Sequence, residues 1–180
     1  MKGEALGLRA FHYFDLLRLY GPVYSEDPEM KCLPWRTEFN ADQKSLESAG
    51  VIAQHILEDL TQAEELLKDD PLNYKNDLNN PFLGLRKHRM NKMAVKALMA
   101  RVYLWIGDKE NAALKAKEVI EQCGLELVIS NIQDASLYDE TIFCLGMDDM
   151  ANKLKDDWKS INTYSNELYI SYDNANTVFE

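Results

Sequence analysis

The two helical arms flanking Gly107-Asp108 constrain this chain more than any other feature. Met93, Ala94, Ala97, Leu98 and Val102 recur at helical steps before the turn, and Ala112, Ala116 and Val119 do so after it. Asn91 and Asp108 stand where helix N-caps are needed, and Gly124 where a helix must stop. So short a connection joins antiparallel neighbours, so residues 91–124 read as a helical hairpin.

Aligning Gly107 with the inter-helix glycine of a tetratricopeptide unit puts small Ala100 at the helix crossing. Tyr103 then takes the aromatic position and Ala112 the small position of the second helix. A small residue lets two helices approach, and the ring fills the space beside it. Tyr13, Phe14 and Gly21 give a partial echo of this pattern upstream.

The rest of the chain fits a mostly helical reading. Residues 4–20 hold apolar side chains around the whole helical circumference, which predicts cover on more than one side. Gly21-Pro22 ends that helix, the glycine being expected as a left-handed cap. A second long helix is predicted over 45–68, with Leu46, Ala49, Ile52, Ile56, Leu60 and Ala63 forming one buried face. Between them lies a polar stretch, 25–43, long enough to be a functional or docking loop. Residues 73–82 are rich in asparagine and read as loop. Short strands are expected near the C-terminal end, at 125–129 and 140–145, and one further helix near 165–172. The predicted fold class is therefore all-α: tetratricopeptide-like helical repeats forming an α-α superhelix, with long loops and one or two short strands. One helical-repeat domain over 1–180 is expected, with 146–180 an irregular tail. The helical pattern starts at once and the chain stops without a cap, so it reads as a piece of a longer protein.

Composition narrows the function. Twenty Lys and Arg against thirty Asp and Glu give a net charge of −10, which excludes a phosphate-driven nucleic-acid binder. No apolar run reaches the roughly 20 residues of a membrane span. The cysteines, Cys32, Cys123 and Cys144, form neither a metal pair nor a disulfide framework. His12, His55 and His88 lack zinc-ligand spacing, so no metal or cofactor is expected. His12 reads as a core or interface histidine. The carboxylate pairs Glu58-Asp59, Glu64-Glu65, Asp69-Asp70 and Asp148-Asp149 read as solvated faces rather than a glycosidase pair. Arg86-Lys87-His88-Arg89 with Lys92 reads as solvated charge, or as partners for the acidic second helix.

The run Gly3-Glu4-Ala5 … Arg9-Ala10 … Tyr13 … Leu16 … Tyr20-Gly21 resembles the signature of SusD/RagB-like proteins. Ile56-Leu57-Glu58-Asp59-Leu60 and Arg89–Leu104 resemble two further family segments in the right order. The resemblance implies a Bacteroidetes surface lipoprotein of the outer membrane. Such a protein captures glycans, or in some branches peptides, and delivers them to a SusC-like TonB-dependent transporter without catalysis. This piece would then be chiefly scaffold and transporter-docking surface. The lipid-bearing cysteine of the family is missing from these residues, and mid-chain Cys32 does not replace it. The sugar contacts of the family lie mostly outside a piece like this one, so no binding residue is carried over.

Independently of that resemblance, sugar recognition needs an aromatic face beside hydrogen-bonding side chains. Two groups have this mixture: Tyr24, Trp35, Arg36 and Asn40 in the long loop, and Trp158, Tyr164 and Asn166 in the tail. Aromatic residues in loops also serve to anchor the loop to its scaffold. Trp105, inside a helix, reads as packing. A tetratricopeptide-type adaptor binding a partner protein or peptide is the alternative reading, and a hydrolase with its catalytic residues elsewhere is a third.

Overall fold

The computed structural model describes residues 1–40, 42–71, 86–127 and 138–146. By its contacts the chain divides into two compact units, Met1–Leu145 and Gly146–Glu180. The first is described below; apart from Gly146, the second lies outside the described residues.

Among the described residues the first unit has four α-helices: α1 (Lys2–Tyr20), α2 (Ala49–Leu66), α3 (Lys92–Ile106) and α4 (Lys109–Gln122). They form two pairs, α1 with α2 and α3 with α4, with α3 also laid against α2. This is the mostly helical, repeat-like architecture that the hairpin pattern predicts.

Each pair closes differently. In the second pair Gly107 adopts φ +90°, a left-handed conformation that costs a side-chain-bearing residue roughly 1–2 kcal/mol. Its N–H and that of Asp108 return to carbonyls of Leu104 and Tyr103, which ends α3. The Asp108 carboxylate then accepts from Asn111 N at 3.1 Å and starts α4. Asn91 caps α3 in the same way, accepting from Ala94 N at 3.0 Å.

In the first pair a two-stranded antiparallel ribbon intervenes, β1 (Lys31–Pro34) with β2 (Leu46–Ser48). These are the strands among the described residues; of the segments expected to be extended, 125–127 and 140–145 contain none, and 128–129 lie outside the described residues. The sequence pattern misplaces them because β1 is only four residues long, with an irregular register beside Cys32. β2 also takes the first residues of the expected helix, so α2 begins at Ala49. Ser48 caps it, and the N–H groups of Ala49 and Gly50 donate to the carbonyls of Met30 and Pro28. The loop thus satisfies donors that a helix start would otherwise leave open.

The core runs through α1, α2 and α3. Ala10, Phe14 and Leu17 of α1 meet Ile52, Ile56 and Leu60 of α2 and Val95, Leu98 and Val102 of α3. Gly7 permits this approach, because a Cβ there would lie 2.6 Å from Met90 Cγ. The fully buried positions of α1 form one stripe, Gly3-Gly7-Ala10-Phe14-Leu17, and Leu6, Leu8, Phe11 and Tyr13 pack partly buried against the core beside it, so α1 is covered on more than one side. Leu16, Leu19 and Tyr20 are exposed, and so is His12, which is not a core residue. Gly21 is extended (φ −84°), so α1 ends without the expected left-handed cap. Proline at 22, which cannot continue the hydrogen-bond ladder, is sufficient to stop it.

Two sets of charges are buried: the basic cluster takes the second of its two readings, as a partner for a carboxylate at the end of α2, and Asp59 is not the solvated carboxylate expected. Arg86 is 3 % exposed and bonds Asp70 through two nitrogens, at 2.9 and 2.5 Å, and Glu4 at 2.7 Å. Arg89 reaches the other Glu4 oxygen at 2.6 Å. This cluster ties the start of α1 to the end of α2 and the approach to α3. Burial alone would push Glu4 up, but the hydrogen bonds from Arg89 and Arg86 outweigh it and hold Glu4 below the usual glutamate range. Asp59 is likewise buried, gripped by Arg9 through two bonds at 2.6 and 2.7 Å. Charge pattern alone cannot separate a solvated carboxylate from one whose partner lies 50 residues away.

Candidate functional site

Trp35 sits at the end of β1 and is used by the scaffold. Its ring stacks on His55 of α2 (4.9 Å, 20°) and leans on Tyr13 of α1 (4.2 Å). The Arg9 guanidinium lies 5.2 Å from its centroid. Tyr13 Oη donates to the Pro34 carbonyl at 3.1 Å and accepts the Arg36 N–H at 2.8 Å, which pins the backbone on both sides of Trp35. Arg36 turns back to the carbonyls of Asn40 and Asp42, and so shapes the loop tip. This is the anchoring role that an aromatic loop residue can also serve.

Tyr24 is placed elsewhere. Its ring rests against Trp105 (5.0 Å), and Trp105 meets the edge of buried Phe14 (6.0 Å). Tyr24 is therefore braced on the core, and it forms one end of an open groove of about 630 Å³ along α2. Ala53, Leu57 and Ile106 give the groove an apolar floor. Gln54, Glu58, Thr61 and Gln62 stand along it on exposed turns of α2. The Glu58 carboxylate accepts from Gln54 Nε2 at 2.9 Å and contacts His55. The Gln54 bond and the His55 contact draw Glu58 below its ordinary range.

The structure thus separates Tyr24 from Trp35, and Trp158 and Tyr164 lie outside the described residues. Sequence reading passed over Gln54, Thr61 and Gln62 because polar side chains at exposed helical positions look like any solvated face. The only signal for them was their spacing: 54, 58, 61 and 62 fall within two and a half turns on one side of a helix.

A second cleft of about 270 Å³ lies between α1 and α3, lined by Phe11, Met90, Leu98 and the segment Glu140–Phe143. That segment crosses it as a strap. Lys87 Nζ donates to the Asp139 carbonyl (3.0 Å), Cys144 N to the Lys87 carbonyl (2.8 Å) and Asn91 Nδ2 to the Ile142 carbonyl (3.0 Å). Phe143 packs edge-on against Phe11. The face of α1 and α3 available to an adaptor's peptide is covered here by the chain itself. Under the strap, Cys144 Sγ lies 3.5 Å from His88 Nδ1. Among the described residues no three His, Cys, Asp or Glu side chains converge as metal ligands. No helix among them is long and apolar enough to cross a membrane.

Paired helices, one pair closed by a two-residue turn and the other by a longer connection that carries the ribbon, with a strap beside α1 and α3, define a tetratricopeptide-like scaffold of the kind used to hold binding surfaces. The comparisons narrow this class. Residues 1–104 match the profile SusD-like_3, "Starch-binding associating with outer membrane", and the chain belongs to that SusD-like family. A SusD superfamily protein from Bacteroides fragilis is 25 % identical, with a TM-score of 0.60 over 82 % of this chain and 33 % of its own. A SusD-like carbohydrate binding protein from Bacteroides vulgatus is 24 % identical, with a TM-score of 0.57 over 72 % and 25 %. A laminarin binding SusD-like protein is 24 % identical, with a TM-score of 0.53 over 70 % and 25 %. The chain therefore spans about a quarter to a third of the length of these structures. No curated protein matches it.

Proposed function

We propose that this chain is part of the frame of a non-catalytic glycan-binding protein at the outer-membrane surface. The complete protein holds an oligosaccharide or polysaccharide by reversible contacts and passes it to a SusC-like TonB-dependent transporter. Its attachment is through a lipid anchor outside these residues. The observation that carries this reading is the family match over residues 1–104, on a fold shared with proteins described as carbohydrate binding and laminarin binding.

The frame's own share is positioning and docking. Buried ion pairs and a core spanning three helices hold the loops in fixed relation. Leu19, Tyr20 and Val23, exposed together at the end of α1, supply apolar surface of the kind a transporter can cover. Of the aromatic candidates, Trp35 acts on this reading as a scaffold residue, and Tyr24 keeps a position where a ligand can reach it.

Affinity electrophoresis of the full-length protein through gels containing starch or laminarin, with product analysis, tests the reading. Retarded migration without released sugars is expected. Released oligosaccharides, or unretarded migration in every glycan tried, would contradict it. Co-purification with a SusC-like TonB-dependent transporter tests the partnership separately.

A further inference from the structure

We infer that the groove along α2 is a contact site for a neutral saccharide, with Tyr24 supporting the sugar ring and Gln54, Thr61 and Gln62 bonding its hydroxyls. The inference rests on the glycan-capture reading above and adds a place for contact on the helical frame itself.

Three observations select this ligand. The first is charge. Among the described residues the lining includes no Lys or Arg, so none of them compensates an anionic ligand. Its single carboxylate, Glu58, is already engaged by Gln54 and His55, so it does not call for a cation either. An uncharged ligand fits both facts.

The second is the kind of hydrogen-bonding group. Gln62 offers two donors and an acceptor, Gln54 an acceptor and the donor not given to Glu58, and Thr61 adds a hydroxyl. Thr61 Oγ1 donates to the Leu57 carbonyl at 2.8 Å, which fixes its rotamer and leaves its lone pairs facing outward as acceptors. Donors and acceptors side by side match hydroxyls, which are both. An apolar peptide face would instead want large aliphatic residues along the rim.

The third is shape. At about 1.5 Å rise per residue, Gln54 to Gln62 spans roughly 12 Å of α2, the reach of a short run of linked pyranose rings. The groove is open to one side, so a saccharide can enter laterally. At one end the Tyr24 ring is held by Trp105 and, behind it, Phe14. A ring braced in this way loses little freedom when a sugar packs on it.

The position of Trp105 provides a direct readout. Maltoheptaose and laminarihexaose are titrated into the full-length protein, following tryptophan fluorescence and, in parallel, calorimetric heat. Trp105→Phe identifies the fluorescence that reports on the groove. The expected result is saturable binding with a Trp105-dependent fluorescence change. Tyr24→Ala is expected to raise Kd by roughly 2- to 10-fold, the range for losing one aromatic contact. Thr61→Arg, an exposed substitution that fills the groove while leaving the core alone, is expected to abolish the Trp105 signal. If wild type binds these sugars and Thr61→Arg binds them equally with the signal intact, the groove is not a contact site, while glycan capture stands. If wild type binds neither these sugars nor starch and laminarin, the capture reading fails and the groove inference with it. Groove-dependent binding of a peptide but no saccharide would also overturn the inference.

Discussion

The two helix pairs solve the same packing problem with different means. In α3–α4 a two-residue turn, two side-chain caps and small Ala112 bring the helices together, and everything needed is local in sequence. In α1–α2 the connection is 28 residues long, and closure depends on groups far apart: Arg9 with Asp59, Tyr13 with the backbone at 34 and 36, Glu4 with Arg86. Burial follows the same division. α2 buries seven residues, from Ala49 to Ala63, between its neighbours, whereas α4 buries only Ala112 and Val119. A hairpin that closes locally leaves its outer helix half free; a pair that closes through distant contacts is held from both sides.

The sharpest way to break the comparison is to remove the lock that joins the pairs. Arg86→Ala leaves Asp70 buried without its guanidinium and Glu4 with only that of Arg89, and is expected to cost about 3–5 kcal/mol, measured by denaturant unfolding. Next in size is a core truncation compared across the pairs. Ile56→Ala, at a fully buried site, is expected to cost about 2–5 kcal/mol. Val119→Ala, at the margin of the core, should cost well under that; equal costs would mean α4 is held as firmly as α2. Gly107→Ala tests local closure, with an expected loss of roughly 1–2 kcal/mol from the left-handed backbone alone.

The smallest effect concerns acid. Glu4 titrates lower in the folded chain than in the unfolded one, so it contributes stability above the ordinary glutamate pKa of about 4.3. That contribution is lost as pH falls through the lower folded value, because protonation then releases both arginines. Glu118 is also held low, first by its bond from Lys96, and has the same sign. Thermal unfolding between pH 6 and pH 3 should show a midpoint that falls with pH, by less in Glu4→Gln than in the unsubstituted chain.

What was legible in the sequence follows from the same contrast. The α3–α4 hairpin was readable almost residue by residue, because caps, turn and stripe are all short-range signals. The family signature of α1 was readable too, as was its cover on more than one side, although which of its apolar residues stay exposed was not. Its apolar residues outnumber the places where a neighbour covers them, and the exposed ones are indistinguishable in sequence from the buried ones. The ribbon was invisible, since strands of four and three residues inside a polar loop carry no periodicity. Asp59 was misread as solvated, and for Arg86 the paired reading displaced the solvated one, for a physical reason: a side chain's partner, not its neighbours in sequence, decides whether its charge can be buried. For the groove, Tyr24 was nominated by residue type. Its companions on α2 emerged only once α2 and the end of α3 were placed side by side.

The central claim is that the two pairs form one frame, with Arg86 as the joint between them. Hydrogen exchange resolved by residue, comparing the unsubstituted protein with Arg86→Ala, tests it most directly. One frame predicts that protection falls together in α1, α2 and α3, with α4 following. Loss confined to α1 and α2, with α3–α4 as protected as before, would contradict it and leave two independent hairpins.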